Sequence, residues 1–275
     1  MSLLNRLKGD EKINLFIGDF IGKKTGYPMR SELCKVLTKE MKDNIKSNIK
    51  NQESLLETSQ MFLDAVVGSK SSMLNRLREF YEYKKTKNDI YDVLLKPEII
   101  SSIFTLNYDT TLEDFYMDKI EQCNPYLNWE KKEKKNNKIE LYRMFGDFNN
   151  LDKVCVSKQD LKKLKVLPFY KKFWNSLGTR LEEYPTVFLG VNLEDPDFLE
   201  MLSYLMENRK MNKMYMVTSM TVLNTEILEK LNRYKIKLLT CNEEEFLNEL
   251  KSYSSEEEDI EETFIKEEQT AEKKH

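Results

Sequence analysis

Seven short runs rich in branched and aromatic apolar residues punctuate this chain, and helical patterns separate most of them. The runs are residues 12–17, 99–106, 141–144, 154–156, 186–189, 214–218 and 236–240. Each is three to eight residues long, which suits short strands buried on both faces. Parallel strands cannot be joined by a hairpin and need a crossover of a dozen or more residues, usually a helix. Strands alternating with helices therefore predict an α/β fold, a doubly wound, mostly parallel, Rossmann-like sheet.

The longest gap lies after the first run, and it is helical throughout. Residues 30–48 carry Leu33, Val36, Leu37, Met41 and Ile45 at helical spacing. Residues 53–67 repeat the pattern with Leu55, Leu56, Met61, Phe62 and Val66, and residues 72–82 with Met73, Leu74, Leu77 and Phe80. This predicts a helical insert over about 30–96. Its apolar stripes either bury one another against the sheet or leave one stripe for a second copy or a partner. Further helices are expected over 112–120, from Ser157 with Asp160 completing a cap, and over 169–183, 197–206 and 243–253. Residues 129–138 are lysine-rich and read as an exposed loop. From Ser254 the chain is charged and of low complexity, and is expected to remain a disordered acidic tail to residue 275. The organisation expected is one α/β unit over 1–253 followed by that tail.

Composition excludes several classes. Acidic residues number 47 against 44 basic ones, a net charge of −3, so no overall field favours nucleic acid. The lysine clusters at 131–135 and 162–163 have glutamates nearby and read as solvated surface. No run of about 18 apolar residues is present, so no membrane span is expected. The first nine residues are too polar for a signal peptide, and a cytoplasmic location is the expectation. Cys34, Cys123, Cys155 and Cys241 show no metal-binding spacing and read as free thiols. The sole histidine is His275, the last residue, so the body of the chain has no imidazole for acid–base or metal chemistry. No metal site is expected.

Four segments carry a resemblance. Residues 14–29 give a strand, a turn at Gly18-Asp19-Phe20 and a Gly26-Tyr27-Pro28 step. Thr105-Leu106-Asn107-Tyr108-Asp109 follows, then Met144-Phe145-Gly146-Asp147, then Gly190-Val191-Asn192-Leu193-Glu194-Asp195-Pro196. In this order and at comparable separations they resemble the bacterial sirtuin-like domain, a family that binds NAD and often hydrolyses it. The resemblance covers about residues 12–250. The zinc ribbon usual in deacetylating sirtuins is absent.

The resemblance implies site residues. Gly18, Thr105, Asn107, Gly190 and Asn192 stand at positions that meet NAD in the family, and Asn107 and Asp109 at its catalytic positions. Two departures weaken that chemistry. The family turn reads Gly-Ala-Gly, where backbone N–H groups approach a pyrophosphate; here Asp19 adds a carboxylate and Phe20 adds bulk. The family's catalytic histidine is replaced by Phe145, which has no lone pair to accept a proton. A missing general base typically costs about 10²–10⁴ in rate; Asp109 or Asp147 would have to act instead. The alternative for Asn107, Asp109 and Asp195 is purely structural, as turn formers and helix caps.

The expected function is a sirtuin-like pseudoenzyme that binds a protein partner or itself, with no cofactor, or only weak NAD or ADP-ribose binding. The alternative is a divergent NAD hydrolase or nucleotide-sensing domain, which the resemblance would place in a bacterial defence system.

Overall fold

A computed structural model describes residues 12–39, 41–65, 69–82, 87–129, 137–207, 209–219 and 223–252. Its strands are β1 (Ile13–Ile17), β2 (Ile100–Thr105), β3 (Ile120–Cys123), β4 (Ile139–Arg143), β5 (Thr186–Leu189), β6 (Met214–Thr218) and β7 (Ile236–Thr240). They form one seven-stranded sheet in the order β3-β4-β2-β1-β5-β6-β7, parallel throughout. The order reverses at β1, so the loops after β1 and β5 flank the switch point where doubly wound folds place ligands.

Side-chain alternation divides the core into two layers. Phe16, Phe104, Tyr142, Phe188 and Met216 face one layer, with the insert's helices over Arg30–Thr38, Leu55–Ala65 and Lys70–Glu82 and those over Lys158–Val166, Lys171–Glu183, Pro196–Met206 and Thr225–Arg233. Leu15, Ile17, Ile103, Leu141, Val187 and Val217 face the other, against helix Asp89–Leu94 and a helix over 243–252. Asn14 is a polar exception inside β1. Its Nδ2 donates to the Arg180 carbonyl at 2.8 Å and the Tyr184 carbonyl at 3.2 Å. It thereby adds a donor to carbonyls at the end of helix Lys171–Glu183, where the helix's own N–H groups run out, and ties that end to β1.

The insert contains helices Arg30–Thr38, Asp43–Lys46, Leu55–Ala65, Lys70–Glu82 and Asp89–Leu94. Leu33, Leu37, Met41, Leu55, Leu56, Phe62, Leu74 and Leu77 are buried in the shared core, and Met61 is half-buried against it. These residues bury one another and pack against the sheet, whereas Phe80 of the third stripe is 43% exposed. Val66, the 131–135 lysines and the acidic tail lie outside the described residues.

Several elements differ from the sequence reading. The expected 30–48 helix is two, because Lys42 is extended and starts a second helix at Asp43. The Thr38 hydroxyl donates back to the Cys34 carbonyl at 3.0 Å, a side-chain bond that competes with the helix ladder. The 112–120 helix ends at Phe115, and Ile120–Cys123 becomes the edge strand β3. Val154, Cys155 and Val156 are buried but pair with no strand; Cys155 N–H donates to the Phe145 carbonyl at 2.8 Å. Helix Thr225–Arg233 crosses from β6 to β7. The capping box at Ser157 forms as expected, with Asp160 N–H on the Ser157 hydroxyl and Ser157 N–H on the Asp160 carboxylate. Asp195 also caps its helix, accepting from Asp197 N–H at 2.9 Å with Pro196 in the first turn.

Candidate functional site

Register gathers the four sequence segments at one end of the sheet. Ile17 lies beside both Thr105 and Leu189, and Thr105 beside Arg143. The residues that follow, around Gly18, Asn107, Phe145 and Gly190, therefore meet above the carboxyl ends of four adjacent strands.

The turns after β1 and β5 touch directly. Gly18 N–H donates to the Leu189 carbonyl at 2.9 Å and Phe20 N–H to the Gly190 carbonyl at 3.0 Å. A Cβ on Gly18 would collide with the Gly190 backbone. Gly190 itself has φ +63, and a Cβ there would lie 2.6 Å from Ile21 Cγ1. Both positions require glycine for packing. Ile21 N–H donates to the Gly18 carbonyl at 3.3 Å, so three N–H groups of the first turn are committed to the chain itself.

Asp19 is buried, with a partner the sequence did not reveal. Its Oδ2 accepts from the Arg30 backbone N–H at 3.2 Å and lies 3.9 Å from the Arg30 guanidinium. Arg30 is buried as well, and its Nε donates to Asp195 Oδ2 at 2.8 Å, with Nη2 on the same oxygen. Burial works against the Arg30 charge, but Asp195 and Asp19 outweigh it and hold the pKa above its ordinary value. Next along, Asp197 accepts from the Ser54 hydroxyl at 2.5 Å and Leu56 N–H at 3.0 Å. Burial first, then the Asp195 charge, pushes Asp197 up to about 6. This network ties the first turn, the insert and the loop after β5 into one unit. Phe20 points elsewhere: it is 37% exposed and lines none of the cavities beside Asn107.

At the end of β2 the Thr105 hydroxyl donates to the Ile17 carbonyl and accepts from Asn107 N–H, both at 3.0 Å. Asn107 Nδ2 donates to the Gly18 carbonyl at 3.1 Å, while its Oδ1 is buried without a partner. Asp109 Oδ1 accepts from Thr111 N–H at 3.2 Å, a turn-forming bond. Asn192 does the same one loop away, accepting from Glu194 N–H at 3.0 Å. Arg143 Nη1 donates to the Asn107 carbonyl at 2.5 Å, and its other nitrogens grip Glu113 at 2.7 Å each. Burial raises the Glu113 pKa, opposed by Arg143.

Phe145 is fully buried, its ring stacked on Tyr108 with centroids 6.4 Å apart. Asp147 accepts from Asn149 and Asn150 N–H groups at 2.9 and 3.1 Å and serves its turn. Beside Asp109 opens a cleft of about 310 Å³, walled by Tyr27, Tyr81, Tyr108 and Phe148 with Arg78 at its edge. Tyr81 and Arg78 come from helix Lys70–Glu82, so the insert supplies one wall. Burial raises the phenol pKa values of Tyr27, Tyr81 and Tyr108, so all three stay neutral at physiological pH.

The model of the SIR2-like domain family matches residues 101–239, about half of the chain. The chain belongs to this family. A search of curated proteins finds no match. The matched stretch of this SIR2-like domain runs from β2 to β7 and holds Asn107, Phe145 and Gly190. The first turn and the insert lie outside it.

Among the described residues no group of three or more His, Cys, Asp or Glu side chains could hold a metal ion. The cysteines are free thiols, and burial pushes Cys34 up to about 12 and raises Cys155, so neither is a thiolate nucleophile at neutral pH. Among the described residues no helix is long and apolar enough to cross a membrane. Sequence reasoning missed Arg30, Tyr81 and Phe148. Arg30 follows the Gly-Tyr-Pro step closely, and its charge beside an unexplained Asp19 was the available signal.

Proposed function

We propose that this SIR2-like domain works by binding rather than by NAD turnover, as a scaffold for a protein partner or a second copy of itself. The observation that carries the reading is Phe145, buried and stacked on Tyr108 at the end of β4. Phenylalanine cannot accept a proton, and Asp147 is bonded into its own turn. The first turn supports it too. Its N–H groups at Gly18, Phe20 and Ile21 already have acceptors, and Arg30, the cation beside it, is engaged by Asp19 and Asp195. The helix it starts has only six residues, too short to offer a pyrophosphate a useful dipole. These residues fit the pyrophosphate of NAD poorly.

Incubation of the purified chain with NAD should release no nicotinamide, and calorimetry with NAD or ADP-ribose should give no micromolar affinity. Turnover abolished by Asn107→Ala would overturn the reading. Light scattering across concentrations separates self-association from a foreign partner.

One observation favours a second reading, a domain that senses a nucleotide without turning it over. Asn107 Oδ1 is a buried acceptor without a partner, and Asn107 shares a small cavity with Asp19, Arg30 and Asp109. Micromolar ADP-ribose binding without hydrolysis, lost in Asn107→Ala, would select it.

A further inference from the structure

At the end of the sheet opposite the cleft, where β6 and β7 begin, lies a depression of about 620 Å³. Six cations line it: Arg209, Lys210, Lys213, Arg233, Lys235 and Lys237, with no carboxylate among the lining residues. They come from two segments twenty positions apart at their nearest, so no basic run is visible in the sequence. In a chain of net charge −3 this is a pronounced local excess. Helix dipoles account for part of it, since Arg209 and Arg233 lie near the carboxyl ends of helices Pro196–Met206 and Thr225–Arg233. They do not account for Lys213 and Lys237, which stand at the starts of strands.

The depression also has structure beneath its charge. Met206, Met211 and Tyr234 form a half-buried apolar floor. The Arg233 guanidinium lies over the Tyr234 ring, 5.9 Å from its centroid. Arg209 rests against Gly178, where a Cβ would come within 3.0 Å of its Cζ, and its Nη2 donates to the Trp174 carbonyl at 3.3 Å. Its Nη1 is buried and has no partner. Among the described residues Arg209, Lys210, Arg233, Lys235 and Lys237 form no ion pair.

We propose that this depression is a ligand site for a nucleoside polyphosphate, its phosphates on the cationic rim and its base on the Met206, Met211 and Tyr234 floor. Lysine and arginine together suit phosphate, arginine through paired donors and lysine as a point charge. Thioether and phenol surfaces accept a planar base without reading its identity. The volume falls within the roughly 300–1,000 Å³ of small-molecule sites. A nucleic-acid strand would need a basic track that continues past the depression. Glu207 directly follows Met206 of the floor and Glu182 acts electrostatically on Arg209, so acidic charge borders the depression. The site shares no residue with the cleft, so it stands or falls independently of the function proposed above.

Calorimetry on the full chain tests this with ATP, inorganic tripolyphosphate and a single-stranded DNA 20-mer as probes. The proposal expects ATP to bind, at least about tenfold more weakly in Lys210→Glu/Lys237→Glu and equally well in the cleft variant Asn107→Ala. Tripolyphosphate should bind more weakly than ATP, because it lacks the base. Both replaced lysines are exposed, so the double variant should fold, and circular dichroism checks that. Independently of any variant, ATP affinity should fall between about 50 and 300 mM salt. Absence of ATP binding, or loss in Asn107→Ala alone, would overturn the proposal. Tripolyphosphate binding as tightly as ATP would refute the floor, and tighter DNA binding would make the surface one for nucleic acid. ATP binding only after Glu256, Glu257 and Glu258 are changed to Gln would also overturn it, in favour of the chain's own acidic segment.

Discussion

Arg30 and Asp195 lie 165 positions apart in the chain and are joined inside it, Arg30 Nε donating to Asp195 Oδ2 at 2.8 Å. Asp19 approaches the same guanidinium from the first turn. Each of the three is at least 95% buried. Removing one partner of a buried ion pair leaves an uncompensated charge and costs about 3–5 kcal/mol. Arg30→Ala, which leaves two carboxylates facing each other, should lose stability on that scale in urea unfolding. A loss below about 1 kcal/mol would mean that water reaches the network and screens it.

The same network makes stability depend on pH. Asp197 is pushed up to about 6 in the folded chain, against an unfolded value near 3.9. Between about pH 4 and 6 the folded state therefore binds more protons than the unfolded state. Stability contributed by this group falls as pH rises through that window and is level above it. Glu32 and Glu200, whose pKa values are lowered by lysine partners, act in the opposite sense. The test is thus a difference: wild type minus Asp197→Asn, followed by urea unfolding from pH 4 to 7. That difference should drift against the wild type by about 2–3 kcal/mol as pH rises. A flat difference would place Asp197 ionised throughout.

Strands β1, β2, β5 and β6 were legible in the sequence because continuous apolar runs are what two-sided burial requires, and the edge strand β7 by its branched residues despite the exposed Lys237 and Thr240. β3 was not: its four residues bury only Ile120 and Cys123, and nothing in such a run separates it from a helix end. Val154–Val156 shows the reverse case, an apolar run that is buried by packing without a strand partner. The gathering of Gly18, Asn107, Phe145 and Gly190 was legible through the order of motifs. The fate of Asp19 and Phe20 was not. Sequence assigns a carboxylate its charge but not its counter-ion, and a six-residue helix is too short for periodicity to say which side chain faces in. Phe20 turned outward, and Asp19 found Arg30.

Gly18 and Gly190 should be intolerant of any side chain. At Gly18 the obstacle is the Gly190 backbone, which cannot move without parting β1 from β5. At Gly190 a positive φ adds to the clash with Ile21. Overpacking of this kind typically costs about 1–3 kcal/mol, and backbone obstacles lie at the upper end or beyond. Gly18→Ala and Gly190→Ala should each lower the melting temperature strongly. An unchanged Gly18→Ala would show that the two turns separate readily, and would reopen the switch point as a ligand cleft.

Phe145→His is the substitution that would restore the family's residue, and it should fail to restore turnover. Phe145 is packed against Tyr108 with no exposed surface. An imidazole there would lose about 1–3 kcal/mol through an unsatisfied buried polar group. The same burial would favour the neutral imidazole, so the ring could accept a proton in principle. The obstacle is upstream: Gly18, Phe20 and Ile21 would still spend their N–H groups on the chain, and Arg30 would stay engaged by Asp19 and Asp195. The expected result is a lower melting temperature and no nicotinamide release from NAD. Measurable release by Phe145→His alone would show that the cleft still binds NAD and that position 145 was the only thing missing.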